Sequence, residues 1–161
     1  MYFVARGNPI GESSAAVDNI RFNSIHLSYI DLSECQLDRL PSGLPRAVRY
    51  LQLRRNRIAR LDRSSLAKVD VSILVLDDCS IEEIEPGTFA NLTRAQQIWL
   101  NGNQLRTIPR PLPAGLERLF VDTNLVENIT GDDFPSALTS LSMMGNRIAN
   151  ISSFTFRISF N

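Results

Sequence analysis

Val48-Arg49-Tyr50-Leu51-Gln52-Leu53-Arg54-Arg55-Asn56-Arg57-Ile58 is the stretch on which the fold turns. Apolar residues hold its first, fourth, sixth and eleventh places, and an asparagine holds the ninth. The alternation over Leu51 and Leu53 has the period of two expected of a strand with one face in a core. Asn56 then closes the strand. Its amide carries both donors and an acceptor, so it can satisfy the backbone of a buried turn.

The same phrase returns down the chain, with units starting at 27, 48, 71, 95, 116 and 138, so successive starts lie 21, 23, 24, 21 and 22 residues apart. The second half of a unit comes in two styles. Longer units space two apolar residues five apart, as in Leu61 to Leu66, Ile84 to Phe89, Ile129 to Phe134 and Ile151 to Phe156. Shorter units read Leu40-Pro41 and Ile108-Pro109-Arg110-Pro111-Leu112-Pro113, where proline lacks a backbone donor and keeps the chain extended. The expected architecture is an α/β-type solenoid: a right-handed coil with a concave parallel sheet and a largely non-helical, irregular convex side. No unit buries its own apolar edge, so the units must stack.

Residues 1–26 stand apart as a flank. Gly7, Asn8, Pro9 and Gly11 mark turns, while Val17, Ile20, Phe22 and Ile25 suit a short helix or a degenerate strand. Two readings stay open, a cap over the first unit or the tail of an upstream one. At the other end, Ile158-Ser159-Phe160-Asn161 carries no polar cap, which predicts that the natural chain continues.

Composition excludes several classes of function. Seventeen basic and seventeen acidic residues leave no net field for nucleic acid or an anionic membrane, and no apolar run reaches membrane-spanning length. Met1 to Gly7 is too short an apolar lead for a signal peptide, so the chain is either cytosolic or part of something longer. Cys35 and Cys79 stand at the ninth place, two strands apart. That is about 10 Å at the usual strand spacing, too far for a disulfide, so both are expected as free thiols. His26 is the single histidine, and Asp77-Asp78 and Asp132-Asp133 are adjacent carboxylates that point to opposite sides of a strand. No catalytic residue, metal site or cofactor is expected.

Strand geometry points to a binding surface instead. With the fourth and sixth places inward, the third and fifth face the concave side. Tyr29, Tyr50, Ile73, Val75, Trp99 and Phe120 should then form one exposed patch, with Arg118 in the same column, Arg54 and Arg55 beside it, and Asp77, Asp78 and Asp122 nearby. Patches of this kind mark protein interfaces, although cross-strand stacking could equally serve the sheet alone. Three N-glycosylation sequons begin at Asn91, Asn128 and Asn150. The last two occupy equivalent positions away from the concave sheet, which favours an extracellular parent.

On these residues the chain from 27 to 161 resembles the leucine-rich repeat family. The mixture of Leu-Pro and Phe-spine units resembles its extracellular members, small matrix proteins and receptor-like ectodomains. The resemblance implies a protein or glycan ligand on the concave face, with no nucleic acid partner and no direct membrane contact. The cysteine-rich flanking caps of the animal matrix proteins are missing. Two alternatives remain: a cytoplasmic scaffold or regulatory subunit, and the substrate-reading part of a larger kinase or ubiquitin ligase.

Overall fold

The computed structural model describes residues 1–22 and 27–152; His26 and Phe156 lie outside them. The elements in chain order begin with β1 (Tyr2–Val4), helix α1 (Ser14–Asn19), β2 (Tyr29–Asp31), β3 (Ala47–Gln52), β4 (Arg60–Leu61) and β5 (Asp70–Val75). There follow β6 (Glu83–Ile84), β7 (Gln97–Trp99), β8 (Arg118–Phe120), β9 (Asn128–Thr130), β10 (Ser140–Ser142) and β11 (Asn150–Ser152).

One seven-stranded parallel sheet runs β1-β2-β3-β5-β7-β8-β10. Its register aligns the repeat places turn by turn, pairing Tyr29 with Tyr50, Tyr50 with Ile73, Ile73 with Gln97 and Gln97 with Arg118. Behind it the inward places form a single core in which Val48, Leu51, Leu53 and Ile58 are fully buried, as are Val71, Leu74, Leu76 and Ile81. In the last turn Leu138, Leu141, Met143 and Ile148 are only partly buried, since just one flank of that turn is covered by described residues. Ile151, expected in the convex spine, is 65% exposed for the same reason.

Buried asparagines tie each turn to the one before. Asn103 Oδ1 accepts from Cys79 N at 3.1 Å and Ile81 N at 2.9 Å, while its Nδ2 donates to Leu76 O and Leu100 O, each at 2.9 Å. Asn56 makes the equivalent four bonds to Cys35, Leu37, Leu32 and Leu53. Both cysteines are free and buried, and each donates its thiol to a carbonyl of the preceding turn, Cys35 to Ala5 and Cys79 to Leu53, at 3.1 Å. A thiol covers the donor half of the asparagine's role. The residue after each cysteine turns left-handed, Gln36 at φ 59 and Ser80 at φ 62.

The eighth place is left-handed in every turn, from Glu34, Arg55 and Asp78 through Gly102 and Thr123 to Gly145. A Cβ on Gly102 would meet the tip of the exposed Asp78 side chain, so its left-handed φ is the main reason for glycine there.

The flank joins the same sheet. β1 pairs Tyr2 with Tyr29 and Phe3 with Ile30, left-handed Gly7 sits at the eighth place, and Asn8 Nδ2 donates to Ala5 O at 3.0 Å, the bond Asn56 makes to Leu53. Phe3-x-Ala5-x-x-Asn8-x-Ile10 is therefore a further copy of the repeated phrase. After it comes α1, capped by Ser13 Oγ and pinned to the core by buried Val17.

The convex side is as sparse as the prolines predict. Among described residues α1 is the one α-helix, and the convex strands form two separate pairs, β4 with β6 and β9 with β11. Residues 108–113 run between those pairs as neither helix nor strand. A proline in that return withholds the donor a ladder would need.

Candidate functional site

The third and fifth places face the concave side, and two aromatic clusters stand there. Tyr29 and Tyr50 stack with ring centroids 5.4 Å apart at 26°, and Tyr2 tilts onto Tyr29 at 5.6 Å. Trp99 and Phe120 stack at 4.0 Å and 25° on neighbouring strands β7 and β8. Polar neighbours fix the rings: Gln52 Nε2 donates to Tyr29 Oη at 3.3 Å, and Trp99 Nε1 donates to Gln97 Oε1 at 3.4 Å.

The patch is less exposed than alternation implies. Tyr29, Tyr50, Ile73, Trp99 and Phe120 are half-buried, and Val75 is only 8% exposed, closer to a core residue than to a surface one. Curvature and stacking draw neighbouring side chains together, so each stacked ring has a face covered by its neighbour one turn away. Tyr2, 76% exposed, extends the patch by one strand and was not among the residues that spacing singled out. The signal was present in Phe3, Ala5 and Asn8 at the repeat spacing.

Along the loop edge of the sheet the charges are already paired. Arg54 Nε and Nη2 each donate to Asp78 Oδ2 at 3.2 Å, and Arg55 reaches Glu34 Oε1 at 3.2 Å. Arg6 reaches the same Glu34 oxygen at 2.7 Å, and these bonds hold the Glu34 carboxyl below its usual range. Arg118, exposed on β8, has no carboxylate partner among the described residues.

Deeper at that edge, the seventh-place side chains form a second ladder. Asp77 Oδ1 accepts from Asn101 N, Asn101 Oδ1 from Asp122 N, each at 2.8 Å, and Asp122 Oδ1 from Met144 N at 2.7 Å. Burial pushes the Asp77 carboxyl up, with the Asn101 amide bond opposing it. Burial likewise raises the Tyr29 hydroxyl, and pushes the Cys79 thiol up to about 12.

The concave face thus carries two clusters of stacked aromatic rings on one sheet, rimmed by a network of surface ion pairs. Among the described residues no group of three or more His, Cys, Asp or Glu could hold a metal ion, and no helix is long and apolar enough to cross a membrane.

Asn91, Asn128 and Asn150 are all exposed and off the concave face. Asn150 Nδ2 donates to Asn128 Oδ1 at 2.8 Å across β11 and β9. By contrast, the Asn91 amide makes no hydrogen bond among the described residues.

Comparison with known proteins agrees with this geometry. The family model described as Leucine Rich Repeat matches residues 26–48. Podocan-like protein 1 of Mus musculus is 33% identical over 127 residues, 76% of this chain and 23% of that protein. Toll-like receptor 8 of Homo sapiens is 30% identical over 152 residues, covering 87% of this chain and 15% of the receptor. Keratocan of Mus musculus is 31% identical over 115 residues, 67% of this chain and 32% of that protein. The chain thus spans less than a third of each of these relatives, which are extracellular matrix proteins or a cell-surface or endosomal receptor.

Proposed function

Since this chain belongs to the leucine-rich repeat family, we propose that it is a non-catalytic recognition module of an extracellular protein, binding a protein ligand on its concave face. The observation that carries the reading is the pair of aromatic clusters, Tyr2-Tyr29-Tyr50 and Trp99-Phe120, set on one continuous concave sheet. Aromatic residues and arginine dominate the energetics of protein interfaces, and here stacking has already removed much of the rotamer freedom that binding would otherwise cost.

A protein ligand fits better than a saccharide. Tyr29 has ring neighbours on both sides, and Trp99 and Phe120 each turn a face to the other. Sugar stacking needs open ring faces, whereas the edges and the hydroxyl tips suit peptide groups and apolar side chains. The relatives favour an extracellular setting over a cytoplasmic one. In that setting Asn91, Asn128 and Asn150 are read as glycan acceptors, placed where they leave the concave face clear.

The test is to secrete the chain from a eukaryotic host and screen extracellular matrix and receptor ectodomains for binding. Variants on the concave face (Tyr50→Ala, Trp99→Ala) are compared with one on the convex side (Arg63→Ala). A ligand lost only with the concave variants supports the proposal; one lost only with the convex variant overturns it.

A further inference from the structure

A cavity of about 640 Å³ lies at the edge where the strands begin and spans three turns. That volume sits within the roughly 300–1,000 Å³ that small-ligand sites occupy. Leu44 and Val69 contribute an apolar floor, and Arg46 and Lys68 stand at its rim. Neither cation has a carboxylate partner among the described residues. The carboxylate that does line the cavity, Asp70, is already engaged by Arg94 N and Arg94 Nε, each at 3.0 Å.

At the lip is Asn91, the first residue of Asn91-Leu92-Thr93. Leu92 is fully buried, Thr93 Oγ1 donates to Asp70 Oδ2 at 2.9 Å, and Thr93 N donates to Asn91 O at 2.9 Å. The backbone beside the acceptor is therefore fixed against the cavity wall, while its own amide is exposed and unengaged.

We propose that a glycan carried by Asn91 folds back and seats its first N-acetylated sugar in this cavity. The proposal rests on the reading of Asn91 as a glycan acceptor. Attachment joins Asn91 Nδ2 to the anomeric carbon of a lipid-diphosphate-linked oligosaccharide. The diphosphate leaves with the bonding electron pair and one amide proton is lost, so Nδ2 keeps its other hydrogen. The acetamide methyl and the C–H face of the sugar then lie on Leu44 and Val69. Hydroxyl and carbonyl oxygens accept from Arg46 and Lys68, cations with no competing partner. Seated so, the sugar acts as a strut between three turns and stays off the concave face.

The full chain, secreted from a eukaryotic host, is first mapped by peptide mass for occupancy of Asn91. An unoccupied Asn91 overturns the acceptor reading and the seat with it. With Asn91 occupied, the glycan is trimmed enzymatically to its first sugar and, in a parallel sample, removed. Hydrogen exchange at the Val69 and Asp70 amides and nuclear Overhauser contacts from the acetamide methyl are then measured. The seat predicts contacts to the methyl groups of Leu44 and Val69, and several-fold slower exchange that survives trimming but not removal. Ala67→Trp, which fills the cavity from its exposed wall, should abolish those contacts while Asn91 stays glycosylated. An occupied Asn91 with no such contacts, and exchange indifferent to removal, would overturn the seat while leaving the acceptor reading intact.

Discussion

Trp99 and Phe120 lie face to face across adjacent parallel strands, their ring centroids 4.0 Å apart. They stand at the fifth place of consecutive repeats, directly paired in the sheet register. Stacking of this kind contributes about 0.5–1.5 kcal/mol beyond the area it buries. The pair therefore ties adjacent strands of the sheet together, and a double-mutant cycle measures how strongly. With Trp99→Ala and Phe120→Ala measured by urea unfolding, we expect a coupling energy near 1 kcal/mol. Strict additivity would mean that the contact contributes nothing to stability.

Asn103 is expected to be among the most sensitive positions in the chain. Asn103→Ala leaves the Cys79 and Ile81 amides and the Leu76 carbonyl without partners, while Leu100 O keeps its bond from Asn124 Nδ2, so the loss should be about 3 kcal/mol or more. Asn103→Cys should lose less, since a thiol at this place can still donate to the preceding turn, as Cys79 does to Leu53 O. Equal losses for the two variants in urea melts would refute that account of the cysteine turns.

Asp77 supplies a pH-dependent test with a built-in control. Its folded pKa is raised by burial, so the folded state holds the proton more tightly than the unfolded chain does. The ionised carboxylate thus lowers stability above the folded pKa, and the penalty is relieved as pH falls through it. Asp77→Asn keeps the oxygen that accepts from Asn101 N, as Asn101 itself does one turn later. The variant should melt higher than the wild type at neutral pH, with the gap closing as pH falls toward about 4, the unfolded carboxylate value. A gap that widens in acid would contradict the sign.

Neither thiol should react in the native state. Cys35 and Cys79 are fully buried, and Cys79 is pushed up to about 12. Labelling with a disulfide reagent should proceed only as the chain opens, so its rate should follow denaturant concentration along with unfolding. Fast stoichiometric labelling in buffer would show that the turns breathe.

The repeat frame was legible because leucine, valine and isoleucine recur at fixed places while the convex returns vary, and the sparse helix followed from Pro41, Pro109, Pro111 and Pro113. Harder to read was the first turn, where Ala5 is a weak core residue and Pro9 interrupts the phrase after Asn8. The direction of the concave side chains followed from alternation. Their exposure did not, because Val75 and the stacked rings are covered by neighbours one turn away. The place of Arg54 and Arg55 beside the patch followed from the repeat frame, but the ion pairs they make did not. Their partners, Asp78 and Glu34, sit 24 and 21 residues away in sequence but on adjacent turns.

The most direct measurement is the affinity of Trp99 variants for whichever extracellular protein the wild-type chain binds. Trp99→Ala should weaken that complex by about 2–4 kcal/mol, with Trp99→Phe in between because a ring remains to stack on Phe120. Arg63→Ala on the convex side should bind like the wild type. The unfolding midpoints of all variants, measured alongside, confirm that each is folded at the assay temperature. Wild-type affinity in a folded Trp99→Ala would contradict the account, because the concave aromatic surface would then not be where the ligand sits.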